Sequence, residues 1–447
     1  MLDLLIHHAS TPQGHFDIAI EGGIITAAGE CLTDPAKETI DASGMLVWPG
    51  FIDAHVHFNE PGRADWEGLA TGPRALAAGG GTLFFDMPLN SSPVTANVIA
   101  LEQKVRCAEA ESVLDFGLWG ALIPGNEDDL EPLAAAGVIG FKAFMSDSGI
   151  DEFPSADAVV LRAGMKRAAA CGRLVALHAE DRAMTRRLAT EARAAGRTSV
   201  RDYLNARPVQ AELDAIMLAT DIAGETGCAL HIVHVSSPEG LALISAARAA
   251  GVDVTAETCP HYLLLNDGDI ERIGPLAKCA PPLRDEARRL GMWASLARGM
   301  VQTIGSDHSP APMAMKQSAD FFEVWGGIAG CQHGFPLTIA AGLLDHCLMS
   351  TTLSQMTSGN VAERFGIGDR KGRIAVGQDA DLVLMRMDGV EPIDARDLLT
   401  RHRVSAYAGL VNRCQVVRTL GRGRNVWPLP HGDAGPRGRW IKPDPVR

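Results

Sequence analysis

His55 and His57 flank a single residue, and side chains of an extended strand alternate with period two, so both imidazoles leave one face. Four more polar residues share their context. Lys142 lies within Gly140-Phe141-Lys142-Ala143, His178 ends the run Leu174-Val175-Ala176-Leu177, His234 ends Leu230-His231-Ile232-Val233, and Asp307 follows Val301-Gln302-Thr303-Ile304. Each stands at the end of a short apolar run of strand character. Imidazole and carboxylate suit zinc and similar divalent ions. Four histidines, one lysine and one aspartate in such places read as a two-metal hydrolase.

Lys142 is the odd member, because an ammonium would repel metal ions. Burial and nearby cations lower a lysine pKa. The neutral amine then reacts with carbon dioxide to give a carbamate, whose two oxygens can bridge two metals. On residue chemistry alone the alternative stays open: a lysine that snorkels to solvent or pairs with a carboxylate. A bridged pair of divalent ions brings the pKa of a shared water to about 7 and polarises a carbonyl. Asp307 would bind one ion, take the proton from that water and pass it to the leaving nitrogen, a step that amides need. His231 and His261 are weaker candidates; His231, three residues before His234, should point to the opposite face of a regular strand and serve in packing or behind a ligand.

The elements that must position these residues follow from the pattern. Candidate strands run over about 51–57, 81–87, 114–120, 139–144, 173–178, 229–235, 252–257 and 301–307, with helical stretches such as Trp66–Ala78 and Ala156–Ala170 between them. Strands alternating with helices predict a (β/α)8 barrel over 51–369, whose active sites gather at the carboxyl ends of the strands. No G-x-G-x-x-G follows the first strand, so no dinucleotide site is indicated. Segment His178–Pro208 is long enough for an extra helix, and its arginines (182, 186, 187, 193, 197 and 201) read as a solvated face. Residues 1–50 and 370–425 both carry short β-like runs broken by glycine, so the two ends should pair into one small β-sandwich. The proline-rich tail, 426–447, is expected to be irregular.

Composition narrows the class. The chain has 447 residues, 46% hydrophobic, with a net charge of −13. An acidic chain argues against nucleic acid or an anionic membrane as partner, and no apolar stretch is long enough for a transmembrane helix. MLDLLIHHAS lacks a basic region followed by a long apolar one, so no secretory signal is expected. Nine scattered cysteines without a C-x-x-C pair fit free thiols in a reducing cytoplasm.

The same residues resemble the amidohydrolase superfamily, in the cyclic-amide hydrolase branch of dihydroorotases, hydantoinases and allantoinases. The likeness runs from Gly50-Phe51-Ile52-Asp53-Ala54-His55-Val56-His57 to Gly372–Leu384. It implies that His55, His57, Lys142, His178, His234 and Asp307 bind two ions, most often zinc, with Lys142 carbamylated and Asp307 catalytic. Within the branch the segments His57–Arg63, Asp86–Ser91, Ser148–Phe153 and Trp325–Gly330 are most similar to allantoinases. Dihydroorotases typically place a carboxylate-gripping arginine two residues after the second histidine, where this chain has Asn59. Hydantoinases usually carry a tyrosine soon after the lysine, and Ala143–Asp147 has none. The resemblance implies a small ureide substrate, contacts from Asn59, Asn90, Ala280 and Ser309, and a homotetramer. Arg63 is expected in a structural ion pair. Other rings, and a non-catalytic scaffold, are the alternatives.

Overall fold

The computed structural model describes residues 1–429 and 438–444. The barrel strands are Phe51–Val56, Gly81–Asp86, Asp115–Leu118 continuing as Gly120–Ala121, Phe141–Phe144, Val175–His178, Leu230–Ile232, Val254–Thr258 and Thr303–Ile304. Successive strands pair in parallel. The ring closes where Val56 bridges His308 and the His57 amide donates to the His308 carbonyl at 2.8 Å.

Period-two alternation sorts the side chains. Phe141, Ala143, Val175, Leu177, Leu230 and Ile232 pack outward against the helices. Leu83, Phe85, Ala121, Ala176 and Val233 fill the barrel together with Phe365. Lys142, between outward Phe141 and Ala143, is thereby turned inward, as is His178 beyond Ala176. Several helices start on side-chain caps: Asn97 accepts from the Ala100 amide, Asp157 from Val159 and Val160, and Ser237 from Gly240.

The sequence pattern overextends some elements. The sixth and eighth strands stop early because the backbone turns left-handed at His234 (φ 41°) and Asp307 (φ 45°). The stretch Trp66–Ala78 is helical only over Gly72–Ala78; Gly68, at φ 90°, bends the chain before it. The segment His178–Pro208 holds two helices, Arg182–Ala194 and Val200–Asn205.

The chain's two ends meet in one eight-stranded sheet. Leu46–Pro49 pairs antiparallel with Leu382–Arg386. Leu2–Thr11 pairs with Ala36–Asp41 over its first part and with Leu46 at Ser10, so the sheet forks and folds over a core that includes Ile6, Ile18, Ile20, Leu382 and Leu420. Between Arg386 and Gln415 the chain leaves this sheet, and Leu398, Ala406 and Tyr407 pack with Tyr262 and Ile328 of the barrel. The last strand, Arg424–Trp427, runs into the segment expected to be an irregular tail, and Trp440 bridges Phe116 of the third barrel strand. The rest of that expectation, over 430–437 and 445–447, lies outside the described residues. Among the described residues no helix is long and apolar enough to cross a membrane.

Candidate metal centre

The carboxyl ends of the first, fourth, fifth, sixth and eighth strands converge. His55 Nε2 and His57 Nε2 lie 3.3 and 3.5 Å from Asp307 Oδ1. His178 Nδ1 faces His234 Nε2 at 3.1 Å. The His55 and His234 rings, 5.4 Å apart, join the two groups. Lys142 is fully buried, and its Nζ has no hydrogen-bond partner.

Carboxylates orient two of the rings. His55 Nδ1 donates to Glu257 Oε1 at 2.7 Å, leaving Nε2 toward the centre. His178 Nε2 donates to Glu180 Oε2 at 2.8 Å, leaving Nδ1 toward it. Such pairs fix the tautomer of a metal-binding imidazole. Burial pushes Glu257 and Glu180 up, but His55 with His231, and Arg207 with His178, outweigh it and hold each carboxyl at about 2. Burial lowers the pKa of His57, His178 and His234, so their ring nitrogens offer lone pairs at neutral pH. Burial also brings the Lys142 amine down to about 7. Burial would raise Asp307, yet the surrounding imidazoles hold it well below the usual carboxylate range.

This donor set fits a divalent metal centre. Neutral imidazoles and an ionised aspartate face one another, and Lys142 Nζ, His57 Nδ1 and His234 Nδ1 are buried without partners. Polar groups buried unpaired are costly. A cation held among the inward nitrogens would relieve the approach of His178 to His234.

A cavity of about 460 Å3 opens onto His55, His57, His178, His234 and Asp307. Asn90, Ala280 and Ser309 line it. Asn59 does not: it is fully buried at φ 66°, with neither amide atom bonded. Phe144, stacked on His178 at 4.5 Å, presents a ring without a hydroxyl. Arg63 bonds Glu152 at 2.8 Å and the Asn90 carbonyl at 3.0 Å, so it ties two loops together. Two residues of the expected solvated face, Arg186 and Arg193, reach the cavity.

Some functional residues are not singled out by sequence reasoning. His231, expected to pack or to stand behind a ligand, does lie beside Glu257 Oε2 at 3.7 Å and bonds Thr255 at 2.7 Å, but it is not on the opposite face, because the left-handed turn at His234 breaks the alternation. Glu257 and Glu180 are missed altogether as partners of the ligands. The usable signal is that ligand histidines need a carboxylate behind them, and both glutamates stand at strand ends. Asp53 is also missed; its Oδ1 accepts from the Ser306 amide at 2.9 Å, tying the eighth strand to the first.

Comparison with known proteins agrees with this geometry. The amidohydrolase family model matches residues 46–426. The allantoinase of Solibacter usitatus is 51% identical over 411 residues, 92% of this chain and 90% of its own. That of Rubrobacter xylanophilus is 48% identical over 99% of this chain and 98% of its own. Among solved structures, the L-hydantoinase (dihydropyrimidinase) of Arthrobacter aurescens superposes with a TM-score of 0.93 at 31% identity, covering 99% of this chain and 98% of its own.

Proposed function

This chain belongs to the amidohydrolase family, and we propose that it is an allantoinase, a hydrolase that opens the cyclic amide of allantoin to give allantoate. The observation that carries the substrate is that, among the described residues, every arginine and lysine on the cavity wall is already engaged. Arg207 pairs with Glu180, Arg186 with Asp147, Arg193 with Asp320 and Glu323, and Lys278 with backbone carbonyls. A ring bearing a carboxylate, such as dihydroorotate, meets no unpaired cation. A neutral ureide meets the amide of Asn90, the hydroxyl of Ser309 and the backbone at Ala280. Full-length likeness to allantoinases near half identity supports the same substrate. The hydantoinase likeness, at lower identity, stands second.

The family implies a divalent metal centre. In this reading His55, His57, Lys142, His178, His234 and Asp307 would hold two ions, zinc by preference, with Lys142 carbamylated. When bound, the ions supply Lewis acidity at the ring carbonyl and make a water acidic near neutral pH. Asp307 accepts the proton of the attacking water and returns it to the ring nitrogen as the amide bond breaks. Glu257 and Glu180 hold the His55 and His178 rings in the required tautomers. The reading includes a barrel over 51–369, a sandwich from 1–50 and 370–425, a tail from 426, a homotetramer, and a cytoplasmic setting.

Turnover of allantoin, hydantoin, dihydrouracil and dihydroorotate by the metal-loaded protein tests the substrate. Allantoin is expected to exceed dihydroorotate by at least about 10²-fold in kcat/KM, the scale of one or two missing charge-assisted hydrogen bonds. Equal use of dihydroorotate would overturn the assignment.

A further inference from the structure

One wall of the cavity is a loop that follows the eighth strand and contributes Phe322, Val324, Trp325 and Gly327. Two buried lysines hold it. Lys278 Nζ donates to the carbonyls of Phe321 at 2.6 Å, Phe322 at 3.1 Å and Val324. Lys316 Nζ donates to the carbonyls of Trp325 at 2.9 Å and Gly327 at 2.7 Å. Lys278 Nζ thus meets three carbonyls, one for each donor of its protonated form, and Lys316 Nζ takes the next stretch of the loop. Among the described residues neither has a carboxylate partner. Burial draws Lys278 down to about 7 and Lys316 to about 8, and a buried amine is costly unless its hydrogen bonds are made, so the fold commits two such groups to one short loop.

Other contacts fix the same segment. The Gly327 amide donates to the Lys278 carbonyl at 2.7 Å, and the Trp325 amide to the Met315 carbonyl at 2.9 Å. At Gly327, with φ 127°, a Cβ would stand 2.1 Å from the Ser309 carbonyl oxygen, so the loop lies against Ser309 without slack. Trp325 meets Trp66 edge-on at 4.9 Å. On the outer side Arg193 pairs with Asp320 and Glu323, but these pairs face solvent and contribute little.

We propose that Lys278 and Lys316 are positioning residues that hold residues 321–327 as a fixed wall of the substrate cavity, so that substrate binding depends on them while the metal centre does not. The kinetic side rests on the reading of this cavity as a ring-amide site; the structural side does not.

Lys278→Met and Lys316→Met, made separately, keep an unbranched buried side chain but remove the donors. The native wild-type protein should resist chymotrypsin at Phe321, Phe322 and Trp325. In each variant cleavage there is expected to quicken by about tenfold or more, since local opening sets the rate. KM for allantoin should rise about tenfold or more, with kcat within about threefold and metal content unchanged, as for loss of a binding wall. Rapid cleavage of the wild-type loop would overturn the proposal. So would variants that keep wild-type KM, or that lose kcat and metal together at constant KM. If Lys278→Met does not fold, Lys316→Met decides. A protein that ignores allantoin yet shows the expected cleavage pattern refutes the substrate and keeps the wall.

Discussion

At the scale of single residues, Lys142 decides the most. Its amine is buried, unpartnered and brought down to about 7 by burial. Carbon dioxide adds only to the neutral amine, releasing one proton, so at a fixed concentration of dissolved carbon dioxide metal-stripped protein should reload faster at pH 8 than at pH 6. Lys142→Ala should lose metal and turnover together, and a short carboxylic acid should restore part of both by supplying the bridging oxygens. Full activity in Lys142→Ala would make the lysine structural. The six proposed ligands are legible in the sequence because each ends an apolar run and His-x-His fixes a shared face. Glu257 is not, since a lone acid in a strand has no spacing signature; its role exists only through the 2.7 Å contact with His55, far away in the chain. Asn59 shows the reverse error: its position after His57 suggests the cavity, but the left-handed backbone there turns its amide into the protein.

At the scale of elements, the eighth strand must pass very close to its neighbours to deliver Asp307. A Cβ on Gly305 would stand 2.6 Å from Glu257 Oε2 and 3.1 Å from His55 Cβ. Gly305→Ala should therefore push Glu257 off His55 with the barrel intact. Metal affinity is expected to fall about 10–100-fold, the usual cost of losing a partner behind a metal ligand, as read by metal titration beside an unchanged circular dichroism spectrum. Wild-type affinity in this variant would remove Glu257 from the account of the site. Strand and helix order is readable from the alternation of apolar runs, and so is the pairing of the chain's ends. Strand ends are not: the backbone turns left-handed at His234 and Asp307, and such strain is a tertiary demand. Residues 387–414 look like sheet-domain sequence yet pack partly on the barrel, because Tyr407 and Leu398 find their apolar partners there.

At the scale of the whole molecule, Lys371 joins the barrel to the sheet. Its Nζ lies 2.8 Å from Asp115 of the third barrel strand, 2.8 Å from Asp379 and 2.7 Å from Asp381 beside the strand Leu382–Arg386. Lys371→Met would strand these carboxylates, two of them deeply buried, at a cost of about 3–5 kcal/mol. A clear drop in apparent melting temperature and soluble yield is expected; an unchanged melting curve would mean that Arg422, which also pairs with Asp115, suffices. The sheet built from both chain ends has a further consequence, for biosynthesis. Barrel strands can pair with neighbours made moments before, whereas Leu46–Pro49 waits for Leu382–Arg386, which leaves the ribosome only after the whole barrel has been made. Non-local pairing of this kind is slow, and an unpaired edge waiting for its partner is exposed to wrong ones. An edge translated early, Leu46–Pro49, is thus among the last to be covered, and the interval before that pairing forms is when a nascent chain of this design most depends on chaperones.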